Sequence, residues 1–299
     1  MNSLNFLPKE ERTRVGLVGF GKTGRAVASV LLLDKTIDLV WVLRKSQNME
    51  HRSVPEFLGI DSDGEGEIHW IENIDCESLF ESSPVDAIID FSSEEGMDYY
   101  GEVAADHGVT IISAVSQLPP ARIAKMHKFA KTTRVLWSPN ITLGINFMII
   151  AAKTLQKIAP HADISILEEH FKMKPEISGT AKKISEALNI DPEEVKVIRA
   201  GGIIGVHEIL FGFPSETVRL KHESISREAF GNGAKFALRE IQKREIGFYD
   251  MEQLVGGYFV EANEHYLEEK SQVSQDLSIL RKLKLSAESV AKRFKKTRR

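Results

Sequence analysis

Hydrophobic positions along the chain follow two spacings, and the change from one to the other lays out its elements. A short apolar run at 14–18 ends in Gly19; Ala26, Val27, Val30 and Leu31 then share one helical stripe ahead of a second apolar run at 38–43. Buried-type strands follow at 85–91, 109–114 and 134–137, separated by amphipathic helices at 94–107 and 120–131. Strands alternating with helices predict a parallel, doubly wound sheet whose ligands lie beyond the carboxyl ends of its strands. A largely apolar helix at 145–158 follows, and after it the pattern changes.

Ile164, Ile166, Glu168 and His170 fall on one face of a strand of period two, which puts His170 at the strand's exit. Ser178-Gly179-Thr180 has the chemistry of a helix start, and Ala181, Ile184 and Leu188 continue it at helical spacing. Strands at 195–199, 206–211 and 216–222 come next, the last two joined as a hairpin by Gly212-Phe213-Pro214-Ser215. Their alternating faces predict a mixed or antiparallel sheet packed by helices on one side. A helix from Ser226 through Phe230, Ala234 and Leu238 then leads toward Tyr249-Asp250-Met251 and back to the first sheet. The fold class is α/β: a Rossmann-type doubly wound parallel sheet with an inserted α+β substrate domain. We place the dinucleotide-binding domain at 1–140, the substrate-binding and oligomerisation domain at 141–230, the return to the first domain at 231–257 and a C-terminal extension at 258–299.

Composition narrows the class. With 42% hydrophobic and 27% charged residues among 299, the chain has enough apolar length for a core and is not disordered as a whole. A net charge of -4 gives no reason to expect nucleic acid, although the extension ends in a basic run at 292–299. Leu267, Val273, Leu277 and Leu280 lie near helical spacing in that extension, which reads as a solvated helix or a partner-binding one. The single cysteine, Cys76, has no partner for a disulfide, and no apolar run approaches a bilayer crossing or a signal peptide, so a cytoplasmic protein is expected.

The chemistry sits at two junctions. Gly19-Phe20-Gly21-Lys22-Thr23-Gly24 opens a helix directly after a strand, the context a dinucleotide fingerprint requires. Gly19 allows the tight turn, Gly21 lets a pyrophosphate approach the backbone, and Gly24 lets the helix pack against the strand. The second strand ends in Arg44-Lys45 and lacks the acid that holds ribose hydroxyls in NAD-preferring folds, which favours NADPH, with NADH as the alternative. Further strand ends at Phe91, Ser113, Val115, Ser138 and Asn140 are expected to face the nicotinamide. At the other junction His170 can supply a proton, Lys174 a point charge and the amides after Ser178 an anion cradle, which together suit a small carboxylate. Read alone, those residues equally describe a strand-end histidine, solvated lysines and a helix cap.

In its order of motifs the chain resembles the dihydrodipicolinate reductase family, the lysine-pathway enzymes also called 4-hydroxy-tetrahydrodipicolinate reductases. The likeness runs through the glycine loop, Ile89-Asp90-Phe91-Ser92, Pro139-Asn140, Gly144-Ile145-Asn146, the stretch 168–181, Arg199 to Gly205 with His207, and Gly247-Phe248-Tyr249-Asp250-Met251. It implies an NAD(P)H-dependent reductase acting on a small cyclic carboxylate, commonly a tetramer or dimer, with no metal. By position it implies His170 as proton donor, Lys174 as its support, and Ser178, Gly179 and Thr180 as the grip on a carboxylate. Three departures stand out: the family's second histidine is Phe171, the loop from Lys174 to Ser178 is one residue short, and the Gly-Thr-Thr-Gly loop reads Ser113-Ala114-Val115-Ser116. Either residues such as Lys172 and Ser116 compensate or the substrate differs, so a sibling reductase acting on another imine and a non-catalytic NADPH-binding regulator stay open.

Overall fold

The computed structural model describes residues 8–46 and 52–266. Seven parallel strands form the main sheet: β1 (Thr13–Val18), β2 (Ile37–Arg44), β3 (Glu67–Trp70), β4 (Ala87–Asp90), β5 (Thr110–Ser113), β6 (Arg134–Trp137) and β11 (Gly247–Tyr249). Their order is β11-β6-β5-β4-β1-β2-β3, so the direction of winding reverses where β1 lies between β2 and β4. Helices α1 (Lys22–Leu32), α4 (Gly96–Asp106) and α5 (Pro120–Phe129) form the expected crossovers. Two short strands, β3 and β11, and the short helices α2 (Val54–Leu58) and α3 (Cys76–Ser82) add to the expected pattern. Both extra strands lie at sheet edges, and β3 buries only Ile68, so neither carries a readable alternation.

One core cluster gathers Trp41, Leu43, Phe80, Ile88, Tyr100 and Ile111 around this sheet. Each such side chain contributes roughly 1.5–3 kcal/mol by leaving water. Trp41 fits because Gly16 faces it: a Cβ on Gly16 would fall 2.2 Å from the indole, and the β1–β2 register shifts between Val15 and Gly16. The indole N–H is satisfied by Ser83 O at 3.0 Å.

The second sheet has four strands in the order β10-β9-β7-β8: β7 (Asp163–His170), β8 (Lys196–Arg199), β9 (Val206–Gly212) and β10 (Thr217–Glu223). β7 runs parallel to β8 and antiparallel to β9, which makes the sheet mixed. Helices α6 (Leu143–Ile158) and α7 (Gly179–Leu188) cover one face, and Ile145, Ile149, Ile166, Ile184, Ile209 and Phe211 fill the core between. Helix α6 starts two residues earlier than its apolar run suggested, since Thr142 takes the extended N-cap conformation. Helix α8 (Glu228–Ile241) then returns to pack on α1, β5 and β6.

The described residues divide into one unit ending at Val255 and a second beginning at Gly256; residues 256–266 are helical, and the remainder of the expected extension, with its basic finish, lies outside the described residues.

The return of α8 turns on small residues, and one substitution tests this. Ala normally favours a helix interior over Gly by roughly 1 kcal/mol. At Gly233, however, a Cβ would sit 2.0 Å from the backbone oxygen of Ile141, which cannot swing aside. Overpacking of this kind costs about 1–3 kcal/mol or more, so Gly233→Ala is expected to lower the urea midpoint, whereas the propensity term alone would raise it.

Candidate active site

A cavity of about 560 Å³ opens at the reversal of strand order, between the carboxyl ends of β1, β2 and β4. Gly19, Phe20 and Gly21 form one wall, Arg44, Lys45 and Ser46 another, and Phe91 and Ser92 a third. Gly19 takes φ 95°, a conformation few side chains tolerate, and a Cβ there would strike the Phe91 carbonyl at 2.6 Å. A Cβ on Gly24 would meet Gly19 O at 1.9 Å, whereas nothing lies within 4 Å of the corresponding position on Gly21. The glycines thus close the turn, clear a path for a ligand and seat α1 on the strand, as their spacing suggested. Asp90, fully buried, holds the third wall by accepting the Ser92 amide at 2.8 Å, the Ser92 hydroxyl at 2.5 Å and the Tyr100 hydroxyl at 2.8 Å.

Positive charge lines the same cavity. Arg44 donates to the Ser46 hydroxyl, while its Nε and Nη1 are buried with no hydrogen-bond partner among the described residues. Burial and the neighbouring Arg25 push the Arg44 guanidinium below its usual range. Arg25 lies against Phe57 and Phe20, 4.8 and 5.7 Å from their ring centres. Buried guanidinium donors without acceptors beside a second guanidinium fit an anionic group such as a 2'-phosphate. Lys22 and Thr23 occupy the first turn of α1 and do not line the cavity; Ser113, Val115, Ser138 and Asn140 sit at the ends of β5 and β6, likewise outside its wall.

The second group gathers at the end of β7. Glu168 and His170 share its buried face, and His207 of β9 stands directly across from Glu168 in the strand register. His170 Nδ1 donates to Ile204 O at 2.8 Å, since a carbonyl can only accept. That fixes the tautomer and leaves Nε2 buried without a hydrogen-bond partner among the described residues, 3.9 Å from Glu168 Oε2. Burial pushes the His170 imidazole below its ordinary value; Glu168 opposes this, and Lys174 and Arg199 add to it. Burial and the neighbouring imidazole push His207 down to about 3, so it is neutral at working pH.

Glu168 has no exposed surface and is held by Arg199 Nη2 at 2.6 Å and the Ser178 amide at 3.0 Å. Burial alone would raise its pKa; the hydrogen bonds from Ser178 and Arg199 prevail and hold the carboxyl below its usual value. Arg199 also donates to Lys174 O at 3.1 Å and Glu176 O at 2.9 Å, clamping the loop that carries Lys174. The Ser178 hydroxyl is engaged internally, accepting the Ala181 amide at 3.0 Å and sharing a 2.9 Å hydrogen bond with His207 Nε2. Gly179 is exposed with open space around it, and its amide and that of Thr180 precede the first bond of α7, from Lys182 N to Ser178 O. The Thr180 hydroxyl accepts from Asn140 Nδ2 at 2.7 Å, which ties this helix start to the segment leaving β6. Phe171 is 43% exposed and offers no hydrogen bond.

Sequence reasoning missed Glu168, Arg199 and His207 as a network, and Arg25 as a cavity cation. A carboxylate on the core face of an otherwise apolar strand was the available signal, because such a group must find donors. Which donors it finds depends on strand register, which the sequence leaves open.

Two family profiles match end to end: "Dihydrodipicolinate reductase, N-terminus" over residues 13–141 and "Dihydrodipicolinate reductase, C-terminus" over 141–255. A 4-hydroxy-tetrahydrodipicolinate reductase of Syntrophus aciditrophicus is 29% identical over 264 residues, covering 80% of this chain and 96% of the relative. One from Caldanaerobacter subterraneus is 31% identical over 192 residues, covering 57% of this chain and 76% of the relative. Among solved structures, dipicolinate-bound dihydrodipicolinate reductase from Paenisporosarcina sp. TG-14 superposes with a TM-score of 0.65 at 19% identity, covering 80% of this chain and 97% of its own. An amine dehydrogenase from Mycobacterium smegmatis shares the fold with a TM-score of 0.56 at 11% identity, covering 79% and 94%.

The buried pair predicts an asymmetric response to substitution. Removing Arg199 as Arg199→Met leaves Glu168 charged and buried and frees two loop carbonyls, a loss of about 3–5 kcal/mol. Arg199→Lys is expected to recover only part of it, because an ammonium lacks the fork that reaches three acceptors. Urea unfolding of the two variants beside the parent protein measures both.

Proposed function

Because the chain belongs to the dihydrodipicolinate reductase family, we propose that it is an NADPH-dependent reductase of lysine and diaminopimelate biosynthesis, reducing the cyclic carboxylated imine that gives this family its name. The observation that carries this reading is a histidine with a fixed tautomer and a buried bare Nε2, set among Lys174, Arg199 and an unbonded helix start. Apart from Glu168, which Arg199 already engages, the groups around that nitrogen attract an anion.

Reduction of an unsaturated ring bond adds hydride to one atom and a proton to the atom that takes the electron pair; the hydride is what NADPH supplies when bound. His170 gives its Nε2 proton to that second atom. Burial weakens the hold of this imidazole on a proton, and the hold strengthens as a carboxylate arrives and offsets the field of Lys174. Lys174 binds one carboxylate and steadies the developing charge. The amides of Gly179 and Thr180, at the positive end of α7, hold a carboxylate as well. The Ser178 hydroxyl supports that cradle from behind and does not touch the substrate.

Arg44, Arg25 and Lys45 hold the 2'-phosphate that distinguishes NADPH from NADH. The exposed β8 residues Val197 and Ile198 serve self-association of the second sheet. Among the described residues no helix is long and apolar enough to cross a membrane, and we read the protein as cytoplasmic.

Phe171 and Val115 stand where the family offers polar partners, so a sibling activity on a less anionic imine is the second reading. Oxidation of NADPH with freshly generated 4-hydroxy-tetrahydrodipicolinate, beside a panel of monocarboxylate cyclic imines, separates the two; tight NADPH binding with no turnover of any would leave a regulator. A charge-assisted hydrogen bond is worth about 1.5–3 kcal/mol, so Lys174→Ala is expected to lower kcat/KM tenfold to a hundredfold on the true substrate. By the same measure, Arg44→Ala should weaken NADPH binding tenfold or more in a fluorescence titration while leaving NADH binding unchanged.

A further inference from the structure

We propose that Glu168 is a positioning residue that couples the two halves of the substrate site, anchoring the Ser178 end of the loop and standing as counter-ion to the Nε2 proton of His170. The inference rests on His170 as proton donor, the reading given above, and adds a residue to which that reading assigns no task.

Geometry carries it. Glu168 has two oxygens, and the Ser178 amide reaches both, Oε1 at 3.3 Å and Oε2 at 3.0 Å. Oε1 takes the Arg199 guanidinium at 2.6 Å, and Arg199 in turn holds the carbonyls of Lys174 and Glu176. Oε2 takes the Ser178 amide at 3.0 Å and lies 3.9 Å from His170 Nε2 and 3.8 Å from His207 Nε2. The His170 ring has little freedom to avoid this contact. Its Nδ1 is held by Ile204 O at 2.8 Å, and the turn before β9 packs so closely that a Cβ on Gly205 would lie 2.9 Å from Cε1. A proton arriving at the ring must therefore go to Nε2, and the anion it meets there is Glu168.

Other charges face the imidazole from every neighbouring element. Lys174 on the loop and Arg199 on β8 are cations; His207 on β9 is neutral, and His222 on β10 bears on His207. Without Glu168 the ring would face cations only, and its protonated form would be disfavoured further than burial already makes it. The field of Glu168 at His170 exceeds that of either cation singly, which makes it the group that keeps a proton available. Because the same carboxylate fixes Ser178, the position of the cradle and the readiness of the donor move together.

The test is Glu168→Gln in the full chain, which keeps the shape and an acceptor for the Ser178 amide but removes the charge. Nitrogen-15 histidine NMR of the protein without substrate follows the His170 ring, identified by loss of its signals in His170→Asn. The expected result is a midpoint lower by about one pH unit, tenfold in protonated fraction. In steady-state kinetics the pH at which kcat falls should move down by the same amount, with KM for NADPH within twofold of the parent. Should Glu168→Gln fail to fold with Arg199 left unpaired, the double variant Glu168→Gln/Arg199→Met removes both charges; the midpoint still falls, because the field of Glu168 at His170 exceeds that of Arg199. An unmoved His170 midpoint in a folded variant overturns the proposal. The NMR arm needs no substrate, so its failure is distinct from finding no turnover, which would instead overturn the proposed reaction.

Discussion

A carboxylate with no exposed surface has to find its hydrogen-bond donors inside the protein, and the loop between β7 and α7 takes its shape from the ones Glu168 finds. An ionised group left bare in such a place would cost several kcal/mol. Arg199 supplies the charge, and its rigid fork does more than neutralise: with Nη2 on Glu168, the same guanidinium reaches Lys174 O and Glu176 O. The Ser178 amide closes the circuit from the far end of the loop. The loop therefore keeps both ends fixed, and Lys174 and the first turn of α7 are presented to the same space as His170.

The nucleotide half is organised by the opposite means. There the shape comes from missing side chains: Gly19, Gly21 and Gly24 are small for three separate reasons, a turn, an approach and a packing contact. Asp90 is a buried carboxylate that supports the cavity wall through Ser92, and it contrasts with Glu168. Its donors, the Ser92 amide and the Ser92 and Tyr100 hydroxyls, are all neutral, and burial holds its pKa above the ordinary value. Glu168 has a guanidinium, and its pKa is held down. A neutral donor set suits a residue that shapes a loop; a charged one suits a residue whose field must persist.

Period and punctuation made much of this legible. The run of strand, glycine loop and helix at 14–31 predicts β1 and α1, and the period-two face of Ile164, Ile166, Glu168 and His170 places the histidine at a strand exit, where β7 has it. Short elements escaped: β3 and β11 have too few residues to show alternation, and α2 declares itself only through the Ser53 cap and Gly59. Pairings across the chain escaped for a different reason. Glu168 facing His207, and Arg25 lying on Phe57, depend on register and on an element too short to foresee, so the sequence displays the residues without displaying the partnership.

Two imidazoles and a carboxylate, with ligand atoms this close, are also the make-up of a zinc site, and the neighbours decide against that use. Glu168 Oε2 is 3.8 and 3.9 Å from the two ring nitrogens, wider than the roughly 3.3 Å kept by ligands about 2 Å from a tetrahedral zinc. That gap could contract. The charges could not: Arg199 already shares the carboxylate, and Lys174 adds a second positive field, so a divalent cation would enter a site whose fixed charges sum to plus one before it arrived. A dicarboxylate meets the reverse situation, gaining from both cations and from the helix start. The sign of the local field, set by which cations surround Glu168, disfavours a metal in a constellation that in other surroundings would hold one.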